Sequence, residues 1–491
     1  MIQPLFLLLL PFFFVLHAYL EHWMLIDTSD FAGLLVKYTG IAIATFIVAL
    51  LMYRNKNKAS AFALLLLLVY FFFSSLHAFL KKTISIAFLS KYSFLLPVTG
   101  LLVLFVLIKL FRTKSNLHKI IQYANILFLL SILADVVILI TYTSRPASFN
   151  KIGIANPVSF TPCDSCQKPD IYFLIFDEYA SSASLKENYQ YDNSQLDTFL
   201  TRNGFSIQSQ SKSNYNWTYF SLASMLNMSY LQIPHPNALT YEEYLYALRL
   251  INHTALSRFL QQQGYETKNY SIFLFDDKIA EPRFNFVTTE PADLLHNRTF
   301  ENTLIRDIGW NFSHGPDWEK IRTRYDSRFT HIMKGVELIK HASAQKTSTP
   351  RFIFGHLMLP HGPFYMNKMK RETDVQKLFN DMAHYSIESY LNQVYFTNTV
   401  IQDICSTIIN NSHGKAIIIL MGDHGFRKDI GPAYPSKFQN LNAVYFPGKQ
   451  LTGMYDSITG VNQFRVILNS TFHQKLPLLK DTCIFLQDEA N

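Results

Sequence analysis

Long apolar stretches alternate with short polar loops in the first third of the chain. The stretches cover residues 4–20, 34–53, 60–80, 93–111 and 120–142. Each approaches the roughly 20 residues that an α-helix needs to cross about 30 Å of hydrocarbon. They lack the polar face that a helix in a soluble protein would show to water. The pattern therefore predicts an α-helical membrane domain of about five transmembrane helices over residues 1–145.

Lys and Arg residues in the short loops predict the orientation of this domain. Loops on the cytoplasmic side of a membrane carry an excess of basic residues. The loops at 54–58 and 112–119 are basic and would both be cytoplasmic if the amino terminus is inside, whereas the basic loop at 81–91 argues for the opposite orientation. We expect the first arrangement, in which everything after residue 145 lies outside the cytoplasm.

The hydrophobic pattern changes in the rest of the chain. Short apolar runs rich in β-forming residues stand at 170–176, 351–359 and 415–425, with helical patterns between them, as at 194–204 and 255–264. Continuous apolar runs of this length are typical of strands buried on both faces of a parallel sheet. Strands that alternate with helices predict an α/β sandwich.

The two patterns together predict the domain organisation. Residues 146–169 are rich in Ser, Pro and Asn and are typical of a linker. The catalytic α/β domain is then expected at 170–450, and residues 451–491 are expected to form its carboxyl-terminal helical tail.

Acidic residues and histidines follow each of the three predicted strands. Asp177 and Glu178 end the first, His361 follows the second, and Asp423 and His424 end the third. Binding sites in open α/β sheets form beyond the carboxyl ends of the strands. Each residue alone has a structural explanation, such as a helix cap or a turn, but their repetition at three strand ends favours a functional site.

Thr218 precedes a run of small and apolar residues with helical spacing. A helix amino terminus favours an anion such as phosphate, and a divalent cation would lower the pKa of a hydroxyl enough to make it a nucleophile. Asp177, Asp423 and His424 would supply the other ligands of that cation. This donor set suits zinc or manganese and tolerates magnesium. The structural alternative is that Thr218 only caps the helix.

Composition narrows the functional classes. The chain is 49% hydrophobic and only 16% charged, below the roughly 25% charge of soluble domains. Its net charge is +8, yet it contains no long Lys/Arg run of the kind that binds nucleic acid.

All four cysteines follow the last apolar stretch, which is compatible with disulfides outside the cell. A structural zinc site is disfavoured because Cys163 and Cys166 form the only Cys-x-x-Cys pair.

These motifs resemble the alkaline phosphatase superfamily. Within it, the chain is similar to sulfatase-like membrane enzymes, which include lipid A phosphoethanolamine transferases and lipoteichoic acid synthases. Those enzymes have five amino-terminal spans followed by an external α/β domain. The resemblance implies a fold of that kind for residues 170–450 and a divalent metal, which we expect to be zinc or manganese.

The resemblance also implies roles for individual residues. Thr218-Tyr-Phe-Ser-Leu-Ala-Ser-Met-Leu is similar to the nucleophile segment of the transferases. In His356-Leu-Met-Leu-Pro-His361-Gly-Pro, the second histidine corresponds to one that faces the substrate, and His356 is a further catalytic candidate. Asp423-His424-Gly425 corresponds to the motif that completes the metal site. We expect Asp177 to be the first metal ligand, and Glu178, which lines up with the Glu of the transferases, is the alternative.

Two departures from the family pattern limit the expected activity. The Cys/Ser-x-Pro-x-Arg segment of classical sulfatases does not stand at the nucleophile position. The transferases also carry a further histidine after Asp-His-Gly, which this chain lacks, so that Arg427 or Lys428 would hold a phosphate there.

The sequence therefore predicts a metal-dependent phosphoryl-group transferase in a bacterial cytoplasmic membrane, with its catalytic domain facing the periplasm or the exterior. It would act on phospholipid headgroups or envelope glycans through a phospho-threonine intermediate on Thr218, with His361 and His356 moving protons. One alternative is a phosphodiesterase or phosphatase with the same site. Another is a catalytically inactive envelope scaffold.

Overall fold

The structure is a computed structural model that describes residues 3–21, 28–83, 87–144, 152–282, 298–309, 315–428, 435–448 and 451–488. The chain divides into two compact units. The first comprises Met1–Asn150 and Val287–Gly315, and the second comprises Lys151–Phe286 and Pro316–Asn491.

The elements are numbered in chain order. The α-helices are α1 (Phe6–Glu21), α2 (Thr28–Tyr53), α3 (Lys56–Thr83), α4 (Tyr92–Arg112), α5 (His118–Ser144), α6 (Ser182–Tyr189), α7 (Ser194–Arg202), α8 (Thr218–Asn227), α9 (Tyr241–Asn252), α10 (Ala255–Gln262), α11 (Phe300–Ile308), α12 (Trp318–Ala344), α13 (Val375–Ala383), α14 (Ile387–Asn411) and α15 (Gly460–Phe472). The strands are β1 (Gly153–Ile154), β2 (Ile171–Phe176), β3 (Phe205–Ile207), β4 (Leu231–Gln232), β5 (Glu266–Tyr270), β6 (Arg351–Leu357), β7 (Met366–Asn367), β8 (Lys370–Arg371), β9 (Ile417–Gly422) and β10 (Asn442–Tyr445).

The first unit contains the predicted apolar helices. Within the described residues, four helices are long and apolar enough to cross a membrane: Asp30–Tyr53, Lys56–Thr83, Tyr92–Arg112 and His118–Thr141. The remaining apolar helix, α1, has 16 residues, or about 24 Å at 1.5 Å per residue, which is short of the hydrocarbon thickness. The predicted domain of apolar helices is confirmed, with four long helices and one shorter one.

Two side-chain contacts within the first unit link elements that are distant in the sequence. One joins polar side chains of α1 and α5, and the other joins rings on α3 and α11. Asp135 of α5 is buried, and its Oδ1 lies 3.1 Å from Nδ1 of His17 on α1. This contact gives the charged group of α5 a partner inside an otherwise apolar bundle. Helix α11 packs against α3, with the rings of Phe73 and Phe300 edge to face at 4.9 Å. Residues 298–309 therefore pack with the apolar helices although they lie between two parts of the α/β unit in the sequence.

The second unit is built on a sheet of six strands, counted over the described residues, in the order β3-β10-β9-β2-β6-β5. Strands β9, β2, β6 and β5 are parallel, and β10 is antiparallel to β9 and β3. Every residue of β2, β6 and β9 is buried, as their continuous apolar sequences predict. The predicted α/β sandwich is confirmed.

Helices cover both faces of this sheet. Tyr172, Leu174 and Phe176 of β2 belong to the same buried cluster as residues of α12 and α14. On the opposite face, Phe173 packs against Phe464 of α15, with ring centroids 4.9 Å apart. Because β2 is central and parallel to both neighbours, Phe176 pairs with Leu357 of β6 and with Gly422 of β9. The three strands thus end side by side, where the predicted site residues follow.

The cysteines of the second unit are only partly paired. Cys163 and Cys166 form a disulfide. Cys405, buried on α14, and Cys483, which is half-buried, are free thiols.

Candidate active site

Asp177 and Glu178 follow β2 directly, and their side chains enter different surroundings. Asp177 and Glu178 are both almost fully buried. Glu178 has φ +63°, a left-handed conformation that is uncommon and costly for a residue other than glycine. Its main-chain N–H donates to Oδ1 of Asp423 at 2.8 Å, which holds the turn in place. The turn separates the surroundings of the two carboxylates, because Asp177 contacts one cluster of side chains and Glu178 another.

The first cluster consists of Asp177, His356 and Asp423. Each offers one ligand atom, and the three atoms lie within 4.8 Å of one another. All three side chains are buried. Among the residues that the structure describes, Asp177 Oδ1, Asp423 Oδ2 and both ring nitrogens of His356 have no hydrogen-bond partner. Buried polar atoms without partners are costly, and a divalent cation would satisfy the two carboxylate oxygens and one of the two ring nitrogens.

The ionisation of this cluster agrees with a metal site. Burial, together with the neighbouring Asp423, raises the pKa of Asp177 well above its usual value. Burial also lowers the pKa of His356 to about 4, so that its imidazole is neutral at pH 7 and able to ligate a cation. Two buried carboxylates beside a neutral imidazole repel one another until a positive charge is added. The residues present therefore fit a divalent metal.

Thr218 is the first residue of α8, and it does not cap the helix. Trp217 occupies the N-cap position, without a side-chain capping bond. The Oγ1 of Thr218 lies 3.3 Å from Nε2 of His424. Because Nδ1 of His424 lies 2.8 Å from the main-chain oxygen of Gly425, which can only accept, Nδ1 carries the proton. The hydroxyl of Thr218 therefore donates to a bare Nε2.

His424 connects Thr218 to the first cluster. Its Nε2 lies 3.2 Å from Oδ2 of Asp423. Burial lowers the pKa of His424 to about 3, so its ring is neutral at pH 7. The lone pair of its Nε2 therefore faces a lone pair of Oδ2 of Asp423 at 3.2 Å. A cation between them would convert the repulsion into attraction. Gly425 lets the backbone after His424 pass close to the segment at Ser436, because a Cβ at residue 425 would lie 2.0 Å from the main-chain oxygen of Ser436.

The second cluster consists of Glu178, Arg427, His361 and Trp217. Oε1 of Glu178 accepts from the main-chain N–H of Arg427 at 3.0 Å and from its Nε at 3.3 Å. Nη2 of Arg427 donates to Nε2 of His361 at 3.3 Å. The guanidinium carbon lies 4.7 Å from the centroid of the Trp217 ring, which is within the range of a cation–π contact.

The negative charge of Glu178 is compensated by other residues of the second cluster. Burial alone would raise the pKa of Glu178, but Arg427, with smaller contributions from His361 and His424, holds it below its usual value. Burial lowers the pKa of His361, and its Nδ1 is 2.6 Å from the main-chain oxygen of Gly362. His361 is thus a neutral imidazole whose Nε2 accepts from Arg427.

All seven site residues predicted from the sequence lie at this edge of the sheet: five belong to the two clusters, Thr218 begins α8, and His424 lies between Thr218 and the first cluster. The structure groups His356 with Asp177 and Asp423, although its sequence motif indicated a proton-transfer role. It places Glu178 against Arg427. The contact of Trp217 with Arg427 could not be read from the sequence, in which the two residues are more than 200 positions apart.

A protein-family model described as Sulfatase matches residues 174–464. The match spans more than half of the 491 residues and includes every predicted site residue. The chain belongs to the sulfatase family. It is therefore an enzyme of the alkaline phosphatase superfamily, as the motifs predicted, and the matched region begins within β2 and ends within α15.

Solved structures similar to this sulfatase-family chain include two phosphoethanolamine transferase domains and a putative sulfatase. The periplasmic domain of EcEptC from Escherichia coli, in complex with Zn, has a TM-score of 0.42 and 10% identity, with 68% of this chain and 94% of that chain covered. The periplasmic domain of EptC from Campylobacter jejuni has a TM-score of 0.36 and 14% identity, with 64% and 92% covered. The putative sulfatase yidJ from Bacteroides fragilis has a TM-score of 0.40 and 14% identity, with 66% and 78% covered. A comparison with curated proteins gave no match.

Proposed function

We propose that this enzyme is a metal-dependent phosphoryl-group transferase that acts on phospholipid headgroups or envelope glycans through a phospho-threonine intermediate on Thr218. The observation that carries the proposal is the contact of the Thr218 hydroxyl with a bare imidazole nitrogen of His424, beside three buried ligand atoms that lack partners among the described residues.

Asp177, His356 and Asp423 would hold the cation, with His424 and Thr218 at its edge. This assigns His356 to metal binding and favours Asp177 over Glu178 as the first ligand, because Glu178 is engaged with Arg427. A bound zinc or manganese ion would lower the pKa of the Thr218 hydroxyl and offset negative charge on the transferred group.

The protein's own groups orient the reaction. Without the cation, the hydrogen bond to Nε2 of His424 holds Oγ1 of Thr218 beside the cluster, and with the cation bound both atoms would be its ligands. In the first half-reaction Oγ1, whose proton passes to solvent, forms a bond to phosphorus while the bond to the leaving oxygen breaks and that oxygen takes up a proton from solvent. In the second, an acceptor oxygen displaces Oγ1. His361 is neutral, and 19% of its side chain is exposed, so its Nε2 would exchange the hydrogen bond from Arg427 for the incoming acceptor and take the acceptor's proton.

A hydrolase with water as the acceptor is the second candidate, and the sulfatase family match favours it. Thr218 stands where classical sulfatases place the Cys or Ser that becomes formylglycine, so the candidate hydrolase acts on phosphate esters. Both candidates share the first half-reaction and differ only in what displaces Oγ1.

We propose a bacterial cytoplasmic membrane location, with the catalytic unit facing the periplasm or the exterior. Two observations support this. Basic residues predominate in the loops at 54–58 and 112–119. The disulfide between Cys163 and Cys166 belongs to the catalytic unit, and disulfides persist in oxidising compartments.

Product analysis tests the proposed activity. The full-length enzyme in detergent, loaded with zinc or manganese, is incubated with labelled phospholipid and an envelope-glycan acceptor. We expect label on the acceptor, a loss of turnover in Thr218→Ala, and normal turnover in Thr201→Ala, which removes an exposed hydroxyl on α7. Release of free phosphate or a free headgroup phosphate would identify the hydrolase, and equal turnover in the Thr218→Ala variant would exclude both candidates.

A further inference from the structure

Three asparagines hold the end of the chain by the same pair of hydrogen bonds. Residues 473–488, here called the terminal segment, are all described, follow α15 and form no helix. In each pair, an asparagine side chain donates to the main-chain oxygen of a leucine and accepts from the main-chain N–H of the same leucine. An asparagine amide can do this because it carries a donor and an acceptor, as a peptide unit does. The pairs, with distances of 2.7–3.0 Å, are Asn469 with Leu476, Asn462 with Leu479, and Asn216 with Leu486.

The third pair lies on the segment that leads into the proposed nucleophile. Asn216 stands two residues before Thr218, and both Asn216 and Leu486 are buried. The main-chain oxygen of Leu486 also accepts from Nε1 of Trp217 at 3.2 Å. The two residues directly before Thr218 are therefore both bonded to one residue of the terminal segment.

The terminal segment makes further contacts on either side of this one. The main-chain N–H of Ile484 donates to the main-chain oxygen of Asn214 at 2.8 Å. The hydroxyl of Tyr244 donates to Oδ1 of Asp488 at 2.7 Å. The ring of Tyr244 meets the ring of Trp217 edge to face, with centroids 5.9 Å apart. The terminal segment therefore holds Trp217 both directly and through Tyr244.

Helix α8 begins without the local cap that usually fixes a helix start. Its N-cap residue is Trp217, which makes no side-chain capping bond, whereas a capping side chain commonly bonds the first turn. After Thr218, Oγ of Ser221 donates to the main-chain oxygen of Asp423 at 2.6 Å. Before Thr218, the bonds to the terminal segment hold the chain. Thr218 is therefore fixed from both sides along the sequence.

We propose that the terminal segment positions the nucleophile, with Asn216 and Trp217 as positioning residues and the main chain of Leu486 as their anchor. This inference rests on the proposed function, because it takes Thr218 as the nucleophile. Oγ1 of Thr218 lies 3.3 Å from Nε2 of His424, and a displacement of about 1 Å at a reacting group can cost about 100-fold in rate. A small shift at the start of α8 would therefore slow the reaction without removing any group that binds the metal.

Steady-state kinetics together with metal analysis test this role. The full-length, metal-loaded wild type, Asn216→Ala and the matched control Asn469→Ala are assayed in detergent by transfer of labelled headgroup. Both substitutions remove the same pair of bonds, but only Asn216 adjoins the nucleophile segment.

We expect the two variants to differ in kcat. In Asn216→Ala, kcat should fall about 10- to 100-fold while KM and metal content stay within about twofold of the wild type, because only the geometry of Thr218 changes. In Asn469→Ala, kcat should change by less than about twofold, because the remaining asparagine pairs still hold the terminal segment. Equal losses in the two variants, or a loss of metal in Asn216→Ala, would overturn the proposal.

Hydrogen exchange distinguishes positioning from a general loss of stability. The main-chain N–H of Ser221 donates to the main-chain oxygen of Trp217 at 3.0 Å in the first turn of α8. We expect peptides that contain Ser221 to exchange about tenfold faster in Asn216→Ala, because the first turn can open locally. Peptides from β2 and β9 should exchange as in the wild type. Faster exchange throughout the catalytic unit, or unchanged exchange at Ser221, would overturn the proposal.

A second variant serves if Asn216→Ala does not fold. Trp217→Phe keeps an aromatic ring and removes the hydrogen bond from Nε1 to Leu486. We expect its kcat to fall about three- to tenfold, as for the loss of one hydrogen bond, with faster exchange at Ser221. A wild-type kcat together with wild-type exchange in Trp217→Phe would contradict the role of the terminal segment.

The two proposals can fail separately. Hydrogen exchange requires no turnover, so it shows whether the terminal segment fixes the start of α8 even if no phospho-threonine forms on Thr218, a result that would refute the proposed function. A phosphoryl adduct on Thr218 together with a wild-type kcat in Asn216→Ala would refute the positioning role alone.

Discussion

The two clusters at the strand ends bury similar charges in different ways. Glu178 and Arg427 neutralise each other through two hydrogen bonds. Asp177, His356 and Asp423 approach one another with four polar atoms that lack partners among the described residues. A buried charge is tolerated when it is paired and costly when it is not. The difference is what we expect if one cluster is complete as folded and the other requires an ion.

The largest expected effect follows from changing the cluster that requires the ion. Asp423→Asn removes a carboxylate that faces Asp177, His356 and His424. We expect metal binding to be lost and kcat/KM to fall by about a thousandfold or more, because a bound cation supplies several kcal/mol of transition-state stabilisation. The assay is transfer of labelled headgroup, with metal content measured on the same samples. Retention of both metal and activity would show that the two clusters do not differ as described.

Metal removal should affect stability through the same cluster. A chelator should lower the melting temperature of the wild type. An ion whose free concentration is 100 times its Kd adds about 2.7 kcal/mol to the free energy of unfolding, and the chelator removes this contribution. Asp177→Asn lacks the site and should melt at the same temperature with and without the chelator. The measurement is differential scanning fluorimetry in detergent. A wild-type melting temperature that is insensitive to the chelator would argue that Asp177, His356 and Asp423 hold no ion.

A glycine substitution tests how closely the backbone around His424 is packed. In Gly425→Ala, the new Cβ would meet the main-chain oxygens of Ser436 and Gln439 at 2.0 and 2.8 Å. We expect a loss of about 1–3 kcal/mol in stability, as in other overpacked sites, and weaker metal binding because His424 moves. In Gly335→Ala on α12, the Cβ meets only Leu357 at an ordinary 3.5 Å, so this control should be neutral or slightly stabilising. Equal effects of the two substitutions would contradict the geometry.

The smallest effect is expected from a supporting hydrogen bond. Oγ of Ser221 donates to the main-chain oxygen of Asp423 at 2.6 Å and is buried. Ser221→Ala should lower the free energy of unfolding by about 1 kcal/mol and reduce turnover only a few-fold, with metal content unchanged. Chemical denaturation and steady-state kinetics measure the two effects. A thousandfold loss of turnover would give Ser221 a direct role that its contacts do not suggest.

The sequence was sufficient to predict the fold and the edge of the sheet at which the candidate site residues meet. Strands β2, β6 and β9 are apolar throughout because both of their faces are covered, and parallel strands bring their carboxyl ends to one edge. The apolar helices were equally visible, although the length of α1 is short for a full span. These features follow from the hydrophobic pattern within single strands and helices, which the sequence shows directly.

The sequence did not predict which side chains contact each of the candidate site residues. Asp177 and Glu178 are adjacent, and only the turn at Glu178, with its long-range bond to Asp423, separates their surroundings. The partner of Glu178 lies 249 residues away at Arg427. The grouping of His356 with two carboxylates likewise depends on the register of β6 against β2. Contacts of this kind depend on tertiary packing, which hydrophobic patterns do not encode.

The most direct test of the central claim is a search for a covalent adduct on Thr218. The full-length, metal-loaded enzyme is incubated with phospholipid donors, quenched in acid, and its Thr218 peptide is analysed by mass spectrometry. The proposed mechanism predicts a phosphoryl-containing adduct on Thr218, whose mass identifies the headgroup. The adduct should be absent in Thr218→Ala and after metal removal. An adduct on another residue, or turnover without any adduct on Thr218, would contradict the mechanism.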